Sequence, residues 1–277
     1  MIIDGRALAR DILAESKALV ASLGRTPVVR AVAVAPGTVT ESYLRVKNAR
    51  AADAGMRLDV VRLLHDATTD DVLAALAAPG ADAVIVQLPL PDHIDQDRVF
   101  AGIPLEKDAD VLSPAAREAF AQDAADALIP PVADAVAAIL SKGGVAPDGA
   151  QAAVVGKGYL VGAPVATYLR LHGAHVTVLD KASFAPDALL DADIVISGAG
   201  APHLITPDLV KEGAALIDAG TSEQAGAVVG DIDPACAEKA GLFTPVPGGV
   251  GPVAVACLYR NAAKLAARSA GRPQETA

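Results

Sequence analysis

Short apolar runs alternate with segments of helical periodicity along the first half of this chain. The runs are rich in Val, Ile and Leu and end at turn-forming pairs such as Pro36-Gly37, which is typical of buried strands. The predicted strands cover residues 28–35, 58–64 and 83–87, and the predicted helices cover residues 42–56, 69–78 and 115–128. Strands that alternate with helices predict a parallel sheet covered by helices.

The same alternation returns in the second half. Helices are predicted over residues 132–142 and 163–171, and strands over residues 152–155, 176–179, 194–197 and 215–218. A glycine-rich turn joins the first of these strands to the second of these helices, which indicates a Rossmann-like arrangement. A strongly apolar helix over residues 253–268 is predicted to return to the first domain, and a frayed tail is predicted from Gly271 onward. We therefore expect an α/β protein of two αβα domains, formed by residues 1–128 with 252–277 and by residues 129–251.

Residues 244–252 read TPVPGGVGP, with three prolines and three glycines. Proline fixes one backbone dihedral and glycine frees others, so this composition predicts a shaped loop rather than a strand or a helix. The loop is either a wall of a ligand site or a rigid turn between domains. Backbone with special requirements concentrates at functional sites, which favours the ligand site.

Composition narrows the class of protein. Hydrophobic residues make up 52% of the 277 residues, aromatic residues 3%, and tryptophan is absent, so an aliphatic core is expected. The net charge of −10, with no basic block, argues against a nucleic-acid partner. The charged, amphipathic start and the lack of a long apolar run predict a cytoplasmic protein without membrane association. Cys236 and Cys257 have no CxxC neighbours, so neither a disulfide framework nor a zinc site is expected.

Tyr43 and Lys47 are spaced i, i+4, which places both side chains on one helix face. A lysine beside a phenol can transfer protons if burial lowers its pKa, but an amphipathic helix with a surface lysine has the same spacing. Short-chain dehydrogenases use a Tyr-x-x-x-Lys pair as well. In those enzymes the pair follows the glycine-rich turn, whereas here it precedes that turn, which argues against that class.

Three polar residues at and after the third predicted strand are candidates for a binding site. Gln87 ends this strand, where open α/β sheets bind ligands. Asp108 and Asp110 follow in a loop beside Lys107. These two carboxylates are either functional or part of a solvated charge run.

Gly156-Lys157-Gly158-Tyr159-Leu160-Val161-Gly162 follows a predicted strand and opens a predicted helix. Its amides and the helix N-terminus could hold a pyrophosphate, although a tight turn of the same sequence is the alternative. Asp180 ends the next strand, 24 positions after Gly156, where an acidic side chain binds a ribose 2′-hydroxyl and repels a 2′-phosphate. This favours NAD, while Lys157 and Lys181 leave NADP open.

Several motifs together resemble the bifunctional methylenetetrahydrofolate dehydrogenase/methenyltetrahydrofolate cyclohydrolase family. They are SYLRVKNARAADAGM, VQLPLP, KDAD, VVGKGYLVGAP, ADIVISGAG and TPVPGGVGP, in the family's order. The resemblance implies a homodimeric enzyme that oxidises 5,10-methylenetetrahydrofolate with NADP or NAD and hydrolyses the product to 10-formyltetrahydrofolate. It also implies a folate site in the cleft between a catalytic domain, residues 1–128 with 252–277, and a Rossmann domain, residues 129–251.

By the same resemblance, Lys47 is the key residue of the cyclohydrolase step, assisted by Tyr43 and Gln87, and Asp110 holds the pterin. The implied substrate-binding residues are Tyr43, Gln87, Leu88, Pro89, Asp110, Pro247, Gly248, Gly249 and Val250. The implied cofactor-binding residues are Gly156, Lys157, Gly158, Leu160, Val161, Gly162, Asp180, Lys181, Gly198, Ala199, Gly220 and Thr221. No metal is expected.

The chain departs from the family pattern at four places. Val111-Leu112 stand where the family has Gly-Phe, residues 129–133 (IPPVA) where it has a Pro-Cys-Thr-Pro segment, Lys157-Gly158 where it has Arg-Ser, and Asp180-Lys181 where it has His-Ser. These departures leave three alternatives: an enzyme with one activity, an enzyme for another folate-like or pterin-like substrate, and a catalytically silent binding protein. Lys47, Gln87 and Asp110 argue against the silent protein, because binding alone does not need all three.

Overall fold

A computed structural model describes residues 1–224 and 227–271 of the chain. These residues form two compact units, each built around a parallel sheet. The three-stranded unit contains Arg10–Pro131 and the chain from Val255 onward, and the five-stranded unit contains Met1–Ala9 and Val132–Ala254. The predicted α/β fold with parallel sheets is confirmed, and so is the return of the last helix to the three-stranded unit. Across residues 1–224 and 227–271, no helix combines the length and apolar character that crossing a membrane requires.

The predicted first domain differs from the three-stranded unit at its start. Sequence placed residues 1–128 in one domain, whereas Met1–Ala9 belong to the five-stranded unit. The Ile3 amide donates to the Phe243 carbonyl at 2.9 Å, and the Phe243 amide donates to the Met1 carbonyl at 2.9 Å. These backbone hydrogen bonds attach the start of the chain to the edge of the five-stranded sheet.

In the three-stranded unit the strand order is β2-β1-β3. Its strands are β1 (Val28–Val34), β2 (Arg57–Leu63) and β3 (Ala83–Val86). Its helices are α2 (Thr38–Asp53), α3 (Thr69–Ala77), α4 (Gln96–Ala101) and α5 (Pro114–Ala121), together with most of α1 (Gly5–Ala21) and most of α9 (Val250–Ala270). Val32 and Val84 from the sheet pack in one buried cluster with Phe100 and Leu112. This core fixes the carboxyl end of β3, where Gln87 follows.

The five-stranded unit has the strand order β10-β7-β6-β4-β5, with all strands parallel. Its elements are α6 (Pro131–Gly143), β4 (Gln151–Val155), α7 (Gly162–Leu171), β5 (His175–Leu179), α8 (Pro186–Leu190), β6 (Ile194–Ser197), β7 (Ala215–Asp218), the hairpin strands β8 (Ser222–Gln224) and β9 (Ala227–Val229), and β10 (Leu242–Phe243). The chain order reverses between β4 and β6, and ligands bind at the carboxyl ends of strands beside such a switch.

At two places the backbone explains why a predicted element differs from the observed one. The helix expected over residues 115–128 ends at Ala121, because Asp123 has a left-handed φ of +51°, which aspartate tolerates. The predicted loop over residues 244–252 is helical from Val250, the first residue of α9. Proline is compatible with a first helical turn, where its missing N–H has no partner to lose, so Pro252 does not prevent this start. The predicted tail beyond Gly271 lies outside the described residues.

Candidate active site

The three-stranded unit brings Lys47 and Gln87 together. The Lys47 Nζ donates to the Gln87 Oε1 at 2.9 Å. Gln87 is 8% exposed. Its backbone N donates to the Val32 carbonyl at 2.9 Å, and its side-chain Nε2 donates to the Leu88 carbonyl at 2.8 Å. Because Nε2 is already bonded, Oε1 is held toward the lysine. Tyr43 lies one turn earlier on α2 with 48% of its surface exposed, so its ring is available to a ligand.

Lys47 and Asp110 influence each other's ionisation. Burial lowers the pKa of Lys47, and the negative charge of Asp110 opposes that shift. Burial raises the pKa of Asp110 to about 6, with Lys47 opposing and Asp108 adding to the rise. Both groups therefore titrate closer to neutral pH than their ordinary values, as groups that exchange protons at neutral pH require.

Asp108 is buried and shapes the loop that carries Asp110. It is 1% exposed, and its two carboxylate oxygens accept hydrogen bonds from the Leu112 amide at 3.1 Å and the Ser113 amide at 2.8 Å. The loop between these anchors includes Val111, whose φ is +58°. Of the two alternatives that sequence left for Asp108, the solvated charge is excluded.

Helix α9 contributes two buried polar side chains that sequence reasoning missed. The Tyr259 hydroxyl donates to the Lys47 backbone carbonyl at 2.8 Å. The Asn261 Nδ2 donates to the Ala109 carbonyl at 3.0 Å and to the Ile129 carbonyl at 2.9 Å. The only sequence signal for them is the presence of polar groups in a strongly apolar helix.

In the five-stranded unit, the glycine turn after β4 is closely packed. Gly156 has a φ of +113°, and a Cβ there would lie 2.7 Å from the Gly198 carbonyl oxygen. A Cβ on Gly162, at the start of α7, would collide with the Gly156 carbonyl. A Cβ on Gly198 would collide with the Val161 side chain, whereas Gly158 faces open space. The predicted cofactor residues of β4 and β6 therefore meet at one place, with the N-terminus of α7 directed at it.

Asp180 lies just after β5 and is bound by the glycine turn. The Lys157 Nζ is 2.6 Å from the Asp180 Oδ2, and the Asp180 Oδ1 accepts hydrogen bonds from the Ala182 amide, the Ser183 amide and the Ser183 hydroxyl. Lys157 first, and then Ser183, hold the pKa of Asp180 far below its ordinary value. The carboxylate is consequently ionised at any working pH. Lys181 beside it is exposed.

A third residue that sequence reasoning missed, Asp231, supports the turn after β6. It is fully buried, and its carboxylate accepts hydrogen bonds from the Ser197 hydroxyl at 2.8 Å and from the Ala199 amide at 2.7 Å. A Cβ on Gly220 would collide with this carboxylate. Gly198, Ala199 and Gly220, all predicted cofactor residues, are thus held around one buried acid, whereas the predicted Thr221 is exposed.

The predicted substrate residues Pro247, Gly248, Gly249 and Val250 lie in the five-stranded unit, whereas Tyr43, Gln87, Leu88, Pro89 and Asp110 lie in the three-stranded unit. Gly248 has a φ of +112°. A Cβ on Gly249 would lie 2.6 Å from the Pro245 carbonyl oxygen and 2.7 Å from the Thr244 Cβ. This strip therefore has no room for a side chain at Gly249, which is consistent with backbone that must come close to a partner.

Two family profiles match most of the chain. The profile described as the tetrahydrofolate dehydrogenase/cyclohydrolase catalytic domain matches residues 3–110, and the NAD(P)-binding-domain profile matches residues 130–270. The chain belongs to the tetrahydrofolate dehydrogenase/cyclohydrolase family. The resemblance stated from the motifs is confirmed, and with it the enzyme class.

Relatives of the tetrahydrofolate dehydrogenase/cyclohydrolase family match over nearly their whole length. The Bifunctional protein FolD of Lacticaseibacillus paracasei is 36% identical over 279 residues, covering 97% of this chain and 98% of the relative. Bifunctional protein FolD 2 of Arabidopsis thaliana is 35% identical, covering 98% and 96%. The Trypanosoma brucei methylenetetrahydrofolate dehydrogenase-cyclohydrolase, solved with NADP and an inhibitor, matches with a TM-score of 0.93 and 35% identity, covering 98% of this chain and 99% of that one.

Val111 is the departure from the family pattern that the structure explains best. It stands where the family has glycine. Its φ of +58° is a backbone conformation that favours glycine and that a valine rarely adopts. The chain therefore keeps a glycine-like turn with a β-branched residue, held by the two hydrogen bonds to Asp108. The strained residue lies directly beside Asp110, and strain of this kind concentrates at functional sites.

Proposed function

We propose that this chain oxidises 5,10-methylenetetrahydrofolate to 5,10-methenyltetrahydrofolate with a nicotinamide cofactor, and then hydrolyses the methenyl compound to 10-formyltetrahydrofolate. The observation that carries the proposal is the hydrogen bond between the Lys47 Nζ and the Gln87 Oε1 at 2.9 Å, beside the ionisable Asp110. Family membership supplies the substrate class, and this pair supplies the acid-base group that hydrolysis needs.

In the hydrolytic step, water adds to the cationic methenyl carbon and gives up one proton. A partly neutral Lys47 can accept that proton, because burial lowers its pKa and Gln87 orients its Nζ. The resulting ammonium then returns the proton to the folate N5 as the bond between N5 and the one-carbon unit breaks. At the same time the hydroxyl oxygen of the adduct forms the formyl C=O and releases its remaining proton to solvent. The balance is one water consumed, one 10-formyl product formed and one proton released. In this proposal Tyr43 offers its exposed ring to the substrate, and the carboxylate of Asp110 binds the pterin.

The five-stranded unit would hold the cofactor, which when bound accepts the hydride leaving the bridging methylene group. Gly156, Gly162 and Gly198 fit this role, because a Cβ at any of them would fill the space between β4, α7 and β6. The N-terminus of α7, which has no side-chain cap, suits a pyrophosphate. Leu160, Val161 and Ala199 belong to the same two turns and would line the site.

Within the cofactor class we propose that NAD is preferred. The ionised Asp180 carboxylate would accept a hydrogen bond from a ribose 2′-hydroxyl and repel a 2′-phosphate. Lys157, which could otherwise attract that phosphate, is engaged with Asp180 at 2.6 Å. Of the two lysines that could favour NADP, Lys157 and Lys181, only Lys181 is then not engaged with Asp180.

A coupled absorbance assay tests the proposed reactions. Purified protein is mixed with 5,10-methylenetetrahydrofolate and either NAD or NADP, and reduced nicotinamide and methenyltetrahydrofolate are followed separately. We expect reduced nicotinamide to form while the methenyl compound stays low, because it is hydrolysed. Accumulation of the methenyl compound would show that the protein has only the dehydrogenase activity. Hydrolysis of added methenyltetrahydrofolate without any nicotinamide reduction would show that it has only the cyclohydrolase activity.

The proposed role of Asp110 predicts a pH dependence of substrate binding. Its pKa is raised to about 6, so the carboxylate is protonated below this pH and ionised above it. We expect the KM for the folate substrate to rise as the pH falls through 6, by about tenfold or more per lost charge-assisted interaction of about 1.5–3 kcal/mol. Initial rates between pH 5 and pH 8 measure this change.

Asp110→Asn separates this explanation from a general effect of acid. The variant should have a high KM at every pH with no inflection near 6, whereas Asp66→Asn, at an exposed aspartate of the same unit, should behave like the unmodified enzyme. A KM inflection that survives in Asp110→Asn would assign the titration to another group.

We also propose that the enzyme is a cytoplasmic homodimer. The support for both is the family resemblance of the sequence.

A further inference from the structure

Tyr259 connects helix α9 to the catalytic lysine. The residue is fully buried, and its hydroxyl donates to the Lys47 carbonyl at 2.8 Å although the two residues are 212 positions apart. A buried phenol needs a hydrogen-bond partner, since an unbonded hydroxyl in an apolar environment is costly. Lys47 lies within α2, whose carbonyls already accept hydrogen bonds along the helix. The phenol therefore adds a bond that α2 does not need for its own stability.

The same hydroxyl lies close to the other ionisable group of the site. Burial raises the pKa of Tyr259, and the Asp110 carboxylate raises it further, so the phenol is a neutral donor throughout the working pH range. The charged or titratable groups around it are thus Lys47 on α2 and Asp110 in the loop after β3, whose own pKa responds to Asp108. The hydroxyl is thus bonded to the backbone of Lys47 and lies within electrostatic reach of Asp110.

Asn261, two residues further along α9, binds the Ala109 carbonyl at 3.0 Å. Helix α9 thus holds the backbone of Lys47 through Tyr259, and the backbone next to Asp110 through Asn261. Because a displacement of about 1 Å in a reacting group can cost about 10²-fold in rate, backbone anchors of this kind bear directly on turnover.

We propose that Tyr259 is a positioning residue for the cyclohydrolase step, which sets the location of Lys47 relative to Gln87 and Asp110 through its hydrogen bond to the Lys47 carbonyl. This inference rests on the proposed function and extends it to a residue outside the substrate-contacting set. According to this inference, the Tyr259 hydroxyl affects the rate of hydrolysis and not the affinity for the substrate.

Tyr259→Phe is the test, because phenylalanine keeps the ring and removes only the hydroxyl. We expect kcat for methenyltetrahydrofolate hydrolysis to fall about fivefold or more with KM changed less than about twofold, since the group acts on the reacting lysine and not on the substrate. We also expect the inflection of kcat against pH to move by about half a pH unit, because a displaced Lys47 changes its electrostatic interaction with Asp110. Tyr168→Phe is the matched control: Tyr168 is 9% exposed, lies in the five-stranded unit and should leave both quantities unchanged.

Tyr259→Leu guards against an effect of repacking. It also removes the hydroxyl but fills the space differently, so the two variants should show the same shift in the pH profile. A shift in only one of them overturns the proposal, as does a Tyr259→Phe enzyme with lower thermal stability but unchanged kcat and pH profile. The unmodified enzyme is assayed first: if it does not hydrolyse methenyltetrahydrofolate, the proposed function fails, whereas an active enzyme insensitive to Tyr259→Phe refutes only this role.

Discussion

Replacing Lys47 with methionine is expected to slow methenyltetrahydrofolate hydrolysis by about 10²–10⁴-fold, the range that a positioned acid-base group contributes. Methionine is similar in length and cannot carry a proton, so the change removes the chemistry while keeping an apolar stem of similar shape. The Nζ that binds the Gln87 Oε1 at 2.9 Å is the group that disappears. The decay of methenyl absorbance, with enzyme in excess over substrate, measures the hydrolytic step directly.

Two further measurements make this result specific to the Lys47 amine. Lys17→Met, at an exposed lysine of the same unit, should hydrolyse at the unmodified rate. Lys47→Met should also keep its affinity for the nicotinamide cofactor, since the glycine turn lies in the other unit. Hydrolysis by Lys47→Met at the unmodified rate would remove Lys47 from the mechanism, whatever the dehydrogenase does.

Asp180→Ser is expected to reverse the preference between NAD and NADP. The substitution removes the charge that repels a 2′-phosphate and also releases the Lys157 ammonium, now 2.6 Å from the Asp180 Oδ2. Both changes favour a 2′-phosphate, so the ratio of kcat/KM for NADP to that for NAD should rise about 10²-fold. Initial rates with each cofactor at fixed folate concentration give this ratio.

Asp193 offers a matched control for Asp180. It too is half-exposed and paired with a lysine, since the Lys211 Nζ donates to its Oδ1 at 2.6 Å. It lies just before β6, however, at the amino ends of the strands, whereas the glycine turn lies at their carboxyl ends. Asp193→Ser should therefore leave the cofactor ratio unchanged. If the unmodified enzyme already turns over NADP much faster than NAD, or if Asp180→Ser does not improve the use of NADP, the electrostatic argument is wrong.

Most of the fold could be predicted from sequence because its signals are local. The period of the apolar residues gave β6 and β7 with the observed bounds and most other elements within a few residues. The helix predicted over 115–128 was too long, because no glycine or proline marks its end and the stop depends on the backbone of Asp123. The start of α9 at Val250 was missed for the opposite reason, since glycine and proline hid a helix that tertiary packing stabilises.

The candidate site was only partly predictable. The spacing of Tyr43 and Lys47 and the position of Gln87 after β3 are readable, because they depend on one helix face and one strand end. The burial of Asp108 and the contact of Tyr259 with Lys47 are not, because each depends on residues brought together from distant parts of the chain. The sequence EKDAD does not by itself show whether its carboxylates are exposed to solvent or accept hydrogen bonds from backbone amides.

Helix α9 also links activity to the order of translation. Arg10–Pro131 leaves the ribosome well before Tyr259 and Asn261, which are synthesised only after the whole of Val132–Ala254. Domains fold largely as they emerge, the N-terminal ones first, so the nascent three-stranded unit waits for its last helix while the five-stranded unit is completed. The backbone of Lys47 and the loop of Asp110 thus receive their final hydrogen bonds together with the end of cofactor-domain synthesis. An interrupted translation product carries Lys47 and Asp110 without the helix that holds their backbone.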